Sequence, residues 1–374
     1  MNRFLLLILA EVAAHPSFTE QEHANALSIP AKILRESLKE LYEQSMVVPR
    51  EDGLYVTFLG RIALNKFDVE KAQASFKERT EALHTICEAL QIQPSDIEHF
   101  SPMELGMTNR SFLVTAKGKE YIFRAPGEGT DQLVDRYREY SNYLALAGRG
   151  LSDVVVYHNP ATGIKITEFI RGCRAPDKTC VQDLKMCMSA LRNMHRSGIT
   201  VEHSFDFEER ILYYEQLCLQ EGTEFLSDYE KCRLLARQVL DLLATLPKEE
   251  CFCHIDSVPG NFLIDPAGHV TLIDWEYAGT CDPVADVAMW CLSARYNKRE
   301  CERMLRIYCE GEPTLNQKQR FYAYLALGGF MWSLWASYKA SLGENYGEYG
   351  SKMLGYCRKY AKLLFEMGGE INIA

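Results

Sequence analysis

The sequence predicts an α+β protein: a small mixed β-sheet lobe and a larger helical lobe, preceded by a small domain of helices and one hairpin. Three observations predict it. Residues 76–170 mix helical spacing with short apolar strands bounded by glycine turns, residues 171–374 are helical apart from one hairpin, and residues 1–75 read helix, helix, helix, hairpin. The chain has 374 residues, 47% of them hydrophobic, enough for two or three domains with full cores.

Residues 1–75 begin with a helix over about Arg3–Ala13. Its start, Met1-Asn2-Arg3 followed by Phe4–Ala10, has the look of a very short signal peptide, but Glu11 closes the apolar run early and a domain helix is the preferred reading. Thr19-Glu20-Gln21-Glu22 supplies an N-cap and acidic first turn for a second helix ending near Leu27. Pro30 opens a third, with Ile33, Leu34, Leu38 and Leu41 on one side. Met46-Val47-Val48 and Leu54–Thr57 flank the turn Pro49–Gly53 as a wing. The order resembles a winged helix-turn-helix domain of MarR-like regulators. Eight basic against ten acidic residues give little attraction for phosphates, and the mixed charges of the third helix suit a solvated face. DNA binding through residues 1–75 and a structural or dimerising role both stay open.

In residues 76–170, a helix near Ala74–Leu90 precedes the loop Gly106-Met107-Thr108-Asn109. A strand to Val114, a tight turn at Lys117-Gly118-Lys119 and the strand Tyr121–Arg124 follow. Arg136, Glu139 and Tyr143 sit on related turns of the next helix, and Ile164–Ile170 is a strand running into Gly172.

Helical spacing marks Leu184–His195, Phe207–Gln220, Tyr229–Leu246, Lys298–Cys309 and Lys318–Ala340 in the last segment. The net charge of −10 argues against a general nucleic-acid binder. Thirteen cysteines without a C-x-x-C pair read as reduced thiols of a cytoplasmic protein. No stretch reaches the roughly 18 apolar residues of a membrane span.

The most informative stretch is His254-Ile255-Asp256-Ser257-Val258-Pro259-Gly260-Asn261, followed by Ile273-Asp274-Trp275-Glu276. It reads H-x-D-x-x-x-x-N, a short hairpin, then I-D-W-E. Antiparallel pairing of Phe262–Ile264 with Val270–Ile273 brings Asn261 and Asp274 to one end of the hairpin. An amide and a carboxylate there suit Mg²⁺, and Asp256 is placed to receive a hydroxyl proton. Phosphoryl transfer from ATP needs these groups, because its chemistry is mostly positioning and charge neutralisation. In that setting Gly106, Thr108 and Asn109 would lie over the phosphates, Arg124 would bind them with Glu139 as its ion-pair partner, and backbone groups around Glu168 and Ile170 would hold adenine.

Residues 80–374 resemble the choline kinase and aminoglycoside phosphotransferase family, and within it the bacterial LicA-type group, some members of which carry an N-terminal winged helix. The G-M-T-N loop, Phe-Arg-x-Pro-Gly at Phe123–Gly127, H-x-D-x-x-x-x-N, I-D-W-E-Y-A-G through Gly279, Asp282-Pro283 and Asp286-Val287-Ala288 carry the resemblance. It implies a protein-kinase-like two-lobed fold, with Asp256 as catalytic base, Asn261 and Asp274 as magnesium ligands, and His254 and Asp286 as braces of the catalytic loop. Leu105 departs from the pattern, standing where many relatives have a second glycine.

Trp332 and Trp335, three residues apart, share one helix face. Spacing alone fits two core tryptophans. The W-x-x-W also resembles the choline-pocket helix of choline kinases, since quaternary ammonium groups are recognised in aromatic cages. Tyr277 and Tyr296 would complete the cage, and Glu276 or Asp282 would add negative potential. The expected function is ATP- and Mg²⁺-dependent phosphorylation of choline to phosphocholine. Ethanolamine, an aminoglycoside, and a ligand-sensing kinase-like transcriptional regulator are the alternatives.

Overall fold

The computed structural model describes residues 3–27, 29–50, 52–57, 60, 63–64, 81–103, 109–127, 130, 132–344 and 346–368. The chain divides into two compact units, one of residues 1–125 with 164–169, the other of 126–163 with 170–374. The second division, between Phe169 and Ile170, lies one residue from the boundary expected after 170. Residues 126–163 go with the helical part, and position 75 lies outside the described residues.

In the first unit, α1 (Arg3–Ala14), α2 (Glu20–Ala26) and α3 (Ala31–Glu43) precede an antiparallel hairpin of β1 (Val47–Arg50) and β2 (Gly53–Val56). The capping box is formed: Glu22 N donates to Thr19 Oγ1, and Thr19 N donates to the Glu22 carboxylate at 2.7 Å. Leu34, Leu38 and Leu41 are buried, as their spacing requires. Residues 81–90 form α4; the earlier part of that expected helix lies outside the described residues.

Next come β3 (Ile97–Met103), β4 (Asn109–Ala116), β5 (Lys119–Pro126) and β7 (Ile164–Glu168), neighbours in that order in one sheet. Lys117 and Gly118, both at positive φ (51° and 71°), join β4 to β5 in the kind of tight turn that matches strand twist. Phe112 stacks on Phe100 at 4.8 Å and meets Phe123 at 6.1 Å, so the alternating apolar residues make one packed face.

The second unit contains β6 (Val155–Asn159) and eight helices among its described residues. These are α5 (Arg136–Leu146), α6 (Val181–His195), α7 (Phe207–Gln220), α8 (Tyr229–Leu243), α9 (Pro283–Ala294), α10 (Lys298–Cys309), α11 (Leu315–Ser341) and α12 (Tyr349–Gly368). Two short antiparallel pairs sit among them: β8 (Cys251–Cys253) with β11 (Gly279–Cys281), and β9 (Phe262–Ile264) with β10 (Val270–Leu272). The 27-residue α11 is the axis of this unit. A Cβ at Gly329 would stand 2.6 Å from the Met353 carbonyl oxygen, and one at Gly328 would collide with the Met289 side chain. Those two glycines let α12 and α9 pack directly on the α11 backbone. No described helix is long and apolar enough to cross a membrane.

Candidate active site

The H-x-D-x-x-x-x-N loop leaves β8 and is fixed by a carboxylate from α9. Asp286 is fully buried; its Oδ2 accepts from His254 N (2.9 Å) and its Oδ1 from Ile255 N (2.6 Å). The Asp286 carbonyl also accepts from Ser257 Oγ. These bonds hold Ile255 at φ +64°, a left-handed conformation that a β-branched residue adopts only when its surroundings impose it. The result is a sharp turn presenting the half-buried Asp256.

His254 ties this loop to the segment that leaves the hairpin. Its Nε2–H donates to the Ile273 carbonyl at 2.9 Å, and its ring lies 4.4 Å from that of Trp275. Burial pushes the imidazole pKa below its ordinary value, so the ring is held neutral.

The hairpin closes as its sequence predicts. Leu272 pairs with Phe262, and Ile273 N donates to the Asn261 carbonyl at 3.0 Å, which sets Asn261 beside the chain entering Asp274. From there Asn261 Nδ2 donates to the Asp256 carbonyl oxygen (2.8 Å) and to Asp256 Oδ2 (2.9 Å). The amide therefore orients the carboxylate and leaves its own Oδ1 as a hard oxygen donor. Asp274 sits at φ +68°, and its carboxylate gathers with those of Glu139 and Glu276, one oxygen of each within 4.8 Å of the others. Arg136 meets that group: Nη1 is 3.3 Å from Glu139 Oε2 and 3.9 Å from Glu276 Oε2, and Nη2 donates to Thr130 Oγ1 at 3.0 Å. Carboxylate oxygens gathered in a largely buried setting are the donor type that suits a divalent cation. The oxygen donor set of Asn261 and Asp274 fits Mg²⁺.

Trp332 and Trp335 are in edge-to-face contact at 6.1 Å on α11. Trp332 meets Tyr277 edge-on at 5.6 Å, and Trp335 meets Tyr346 at 5.1 Å and Tyr349 at 6.4 Å. Burial pushes the Tyr349 phenol up, and the Asp256 carboxylate adds to the shift. For Tyr277 burial again dominates, with Tyr214, Glu276 and Asp256 adding. The Arg210 guanidinium lies 6.0 Å from the Tyr277 ring, so a cation of the protein already neighbours that tyrosine.

The other expected site residues occupy the following places in the fold. Tyr296 is buried with its hydroxyl donating to the Lys178 carbonyl, and among the described residues it makes no ring contact with either tryptophan. Glu276 belongs to the carboxylate group around Arg136, and Asp282 caps α9 and pairs with Arg320. Glu139 is 1% exposed and ion-paired with Arg136 on its own helix, while Arg124 lies on β5 of the first unit opposite Lys165. Asn109 opens β4, Glu168 ends β7 and Ile170 begins the second unit's later segment. Gly106 and Thr108 lie outside the described residues. The sequence reading missed Arg136, Tyr346 and Tyr349, although Tyr346 and Tyr349 repeat the three-residue spacing of the tryptophans.

Residues 99–317 match the model of the phosphotransferase enzyme family (APH). The chain belongs to that family. It is 25% identical to Protein LicA of Haemophilus influenzae over 261 residues, covering 67% of this chain and 76% of that protein. The crystal structure of choline kinase LicA from Streptococcus pneumoniae superposes with a TM-score of 0.67 at 28% identity, covering 77% of this chain and 99% of that one. LicA in complex with AMP gives a TM-score of 0.64 at 29% identity, covering 75% of this chain and 97% of that one. Ethanolamine kinase 2 of Rattus norvegicus is 24% identical over 245 residues, covering 58% of this chain and 62% of that protein. The mixed α+β fold is thus protein-kinase-like, and the protein is a kinase-like phosphotransferase similar to the LicA proteins.

Proposed function

We propose that the protein transfers the γ-phosphoryl group of ATP to the hydroxyl of choline, giving phosphocholine, in a reaction dependent on Mg²⁺. Two observations carry this reading: the aromatic group of Trp332, Trp335, Tyr277, Tyr346 and Tyr349, and a carboxylate, Asp256, that Asn261 orients. A trimethylammonium group is attracted to ring faces, and its hydroxyl arm would then reach the carboxylate. Asp256 accepts the hydroxyl proton and aims the oxygen, the part a general base plays.

Asn261 Oδ1 and Asp274 would hold the metal ion, with the Glu139–Glu276 pair deepening the negative potential there. When bound, Mg²⁺ neutralises phosphate charge as the phosphoryl group moves. Asp286 and His254 do not touch substrate in this scheme; they keep the loop in its strained turn. Arg124 and the loop at Gly106, Thr108 and Asn109 would contact the triphosphate, and Glu168 and Ile170 the adenine.

Likeness to an ethanolamine kinase favours ethanolamine as the second reading. A primary ammonium gains less from rings and more from acceptors than choline does. ADP release measured with choline, ethanolamine and an aminoglycoside tests the assignment. The proposal requires the highest kcat/KM with choline; an equal or higher value with either other acceptor overturns it.

A further inference from the structure

The Asp286 carboxylate that holds His254 N and Ile255 N also holds a member of a second group of ligating side chains. His195 at the end of α6 and Cys251 and Cys253 on β8 each bring one ligand atom within 4.8 Å of the other two. The two sulfurs are 3.7 Å apart. That separation is informative, because two thiolates on one tetrahedral Zn²⁺ with bonds of about 2.3 Å stand about 3.8 Å apart. Residues i and i+2 of a strand point to the same side, so β8 itself sets the spacing.

The histidine is prepared in the way metal-ligating imidazoles are. His195 is 4% exposed and its Nε2–H donates to Asp286 Oδ2 at 2.9 Å. That bond fixes the tautomer and leaves the lone pair on Nδ1, which accepts from the Tyr308 hydroxyl at 2.8 Å. Cys251 is half-buried and gives a route in from solvent, whereas Cys253 is buried.

We propose that Nδ1 of His195 and the sulfurs of Cys251 and Cys253 bind Zn²⁺, and that occupation of this site lowers phosphotransferase turnover. Binding releases two thiol protons to solvent, and the two thiolates neutralise the ion's charge. The Tyr308 hydroxyl leaves Nδ1, and its oxygen or a water takes the fourth position. The same Asp286 carboxylate holds His195, His254 N and Ile255 N, so a shift of His195 is passed to the turn that presents Asp256. The effect on turnover rests on the proposed role of Asp256; the binding does not.

Titration of the full-length protein with Co²⁺, followed by the thiolate-to-cobalt charge-transfer absorption and by Zn²⁺ competition, tests the site. One ion per chain is expected in the wild type. The absorption is expected to vanish in Cys251→Ser and Cys251→Ala and to persist in Cys173→Ser, which alters a half-buried thiol elsewhere. Zn²⁺ should inhibit the wild type even at saturating Mg²⁺, EDTA followed by Mg²⁺ should restore activity, and Cys251→Ser should need more than about tenfold higher Zn²⁺. No thiolate absorption, or equal absorption in Cys251→Ser, overturns the site. Stoichiometric binding with unchanged turnover overturns its regulatory effect. The cobalt titration needs no acceptor, so failure of this site and failure of the choline reading are distinguishable.

Discussion

Asn261 holds Asp256 through one amide nitrogen, which donates to both the carbonyl oxygen and Oδ2 of Asp256 at 2.8 and 2.9 Å. The residue proposed to bind the metal is therefore the residue that orients the base. Asn261→Ala removes both functions together, so kcat should fall and the Mg²⁺ concentration needed for half-maximal rate should rise. An Asn261→Ala variant with unaltered Mg²⁺ dependence contradicts the assignment.

Loss of the base itself should be more selective. Asp256→Asn keeps the shape of the side chain but cannot accept the proton, and kcat should fall by about 10²–10⁴-fold. Nucleotide affinity, measured by calorimetry with ATP and Mg²⁺, should change little. Near wild-type turnover in Asp256→Asn contradicts its role.

For the aromatic group the expected signature lies in KM. Trp332→Ala and Trp335→Ala should raise KM for choline far more than for ATP, since a ring face contributes about 0.5–2 kcal/mol to binding a cation. That range corresponds to a few-fold to roughly thirty-fold in affinity. Phe at either position should lose less. Trp335 is almost fully buried, so a thermal melt must accompany each variant. Early melting with normal choline binding in the folded fraction would make both tryptophans core residues only.

His254 gives a pH prediction. Burial lowers its folded-state pKa below the ordinary 6.5, so below pH 6.5 the unfolded chain takes up a proton that the folded chain resists. The stability associated with the neutral ring is full above pH 6.5 and is lost progressively as pH falls below it. His254→Gln keeps a donor toward Ile273 and does not titrate. The difference in urea midpoint between wild type and variant should therefore narrow on acidification. A constant difference contradicts the account.

Much of this arrangement was readable before the fold was known, and the reasons differ by element. The β9–β10 hairpin was legible because turn residues separate two apolar runs, and pairing geometry alone then brings Asn261 beside the residues entering Asp274. The α9 helix was not, because every residue from Pro283 to Leu292 is buried and no polar face marks the helical period. α12 carries a helical spacing at Met353, Cys357, Tyr360 and Leu364, interrupted by few polar positions that would mark its ends. Sequence spacing shows Arg136 only as a turn neighbour of Glu139; that Glu276, more than a hundred residues away, shares its guanidinium is a matter of tertiary packing. Tyr296 was placed in the cage by residue type; its hydroxyl bond to Lys178 comes from tertiary packing, which residue type does not reveal.

The central claim is phosphoryl transfer from ATP to choline using Asp256. Product analysis by phosphorus NMR and mass spectrometry, after incubation with ATP, Mg²⁺ and choline, tests it most directly. The account predicts phosphocholine and ADP in equal amounts from the wild type, and formation of both at least about 10²-fold slower from Asp256→Asn. ADP formed without phosphocholine, or phosphocholine formed equally by Asp256→Asn, would contradict it.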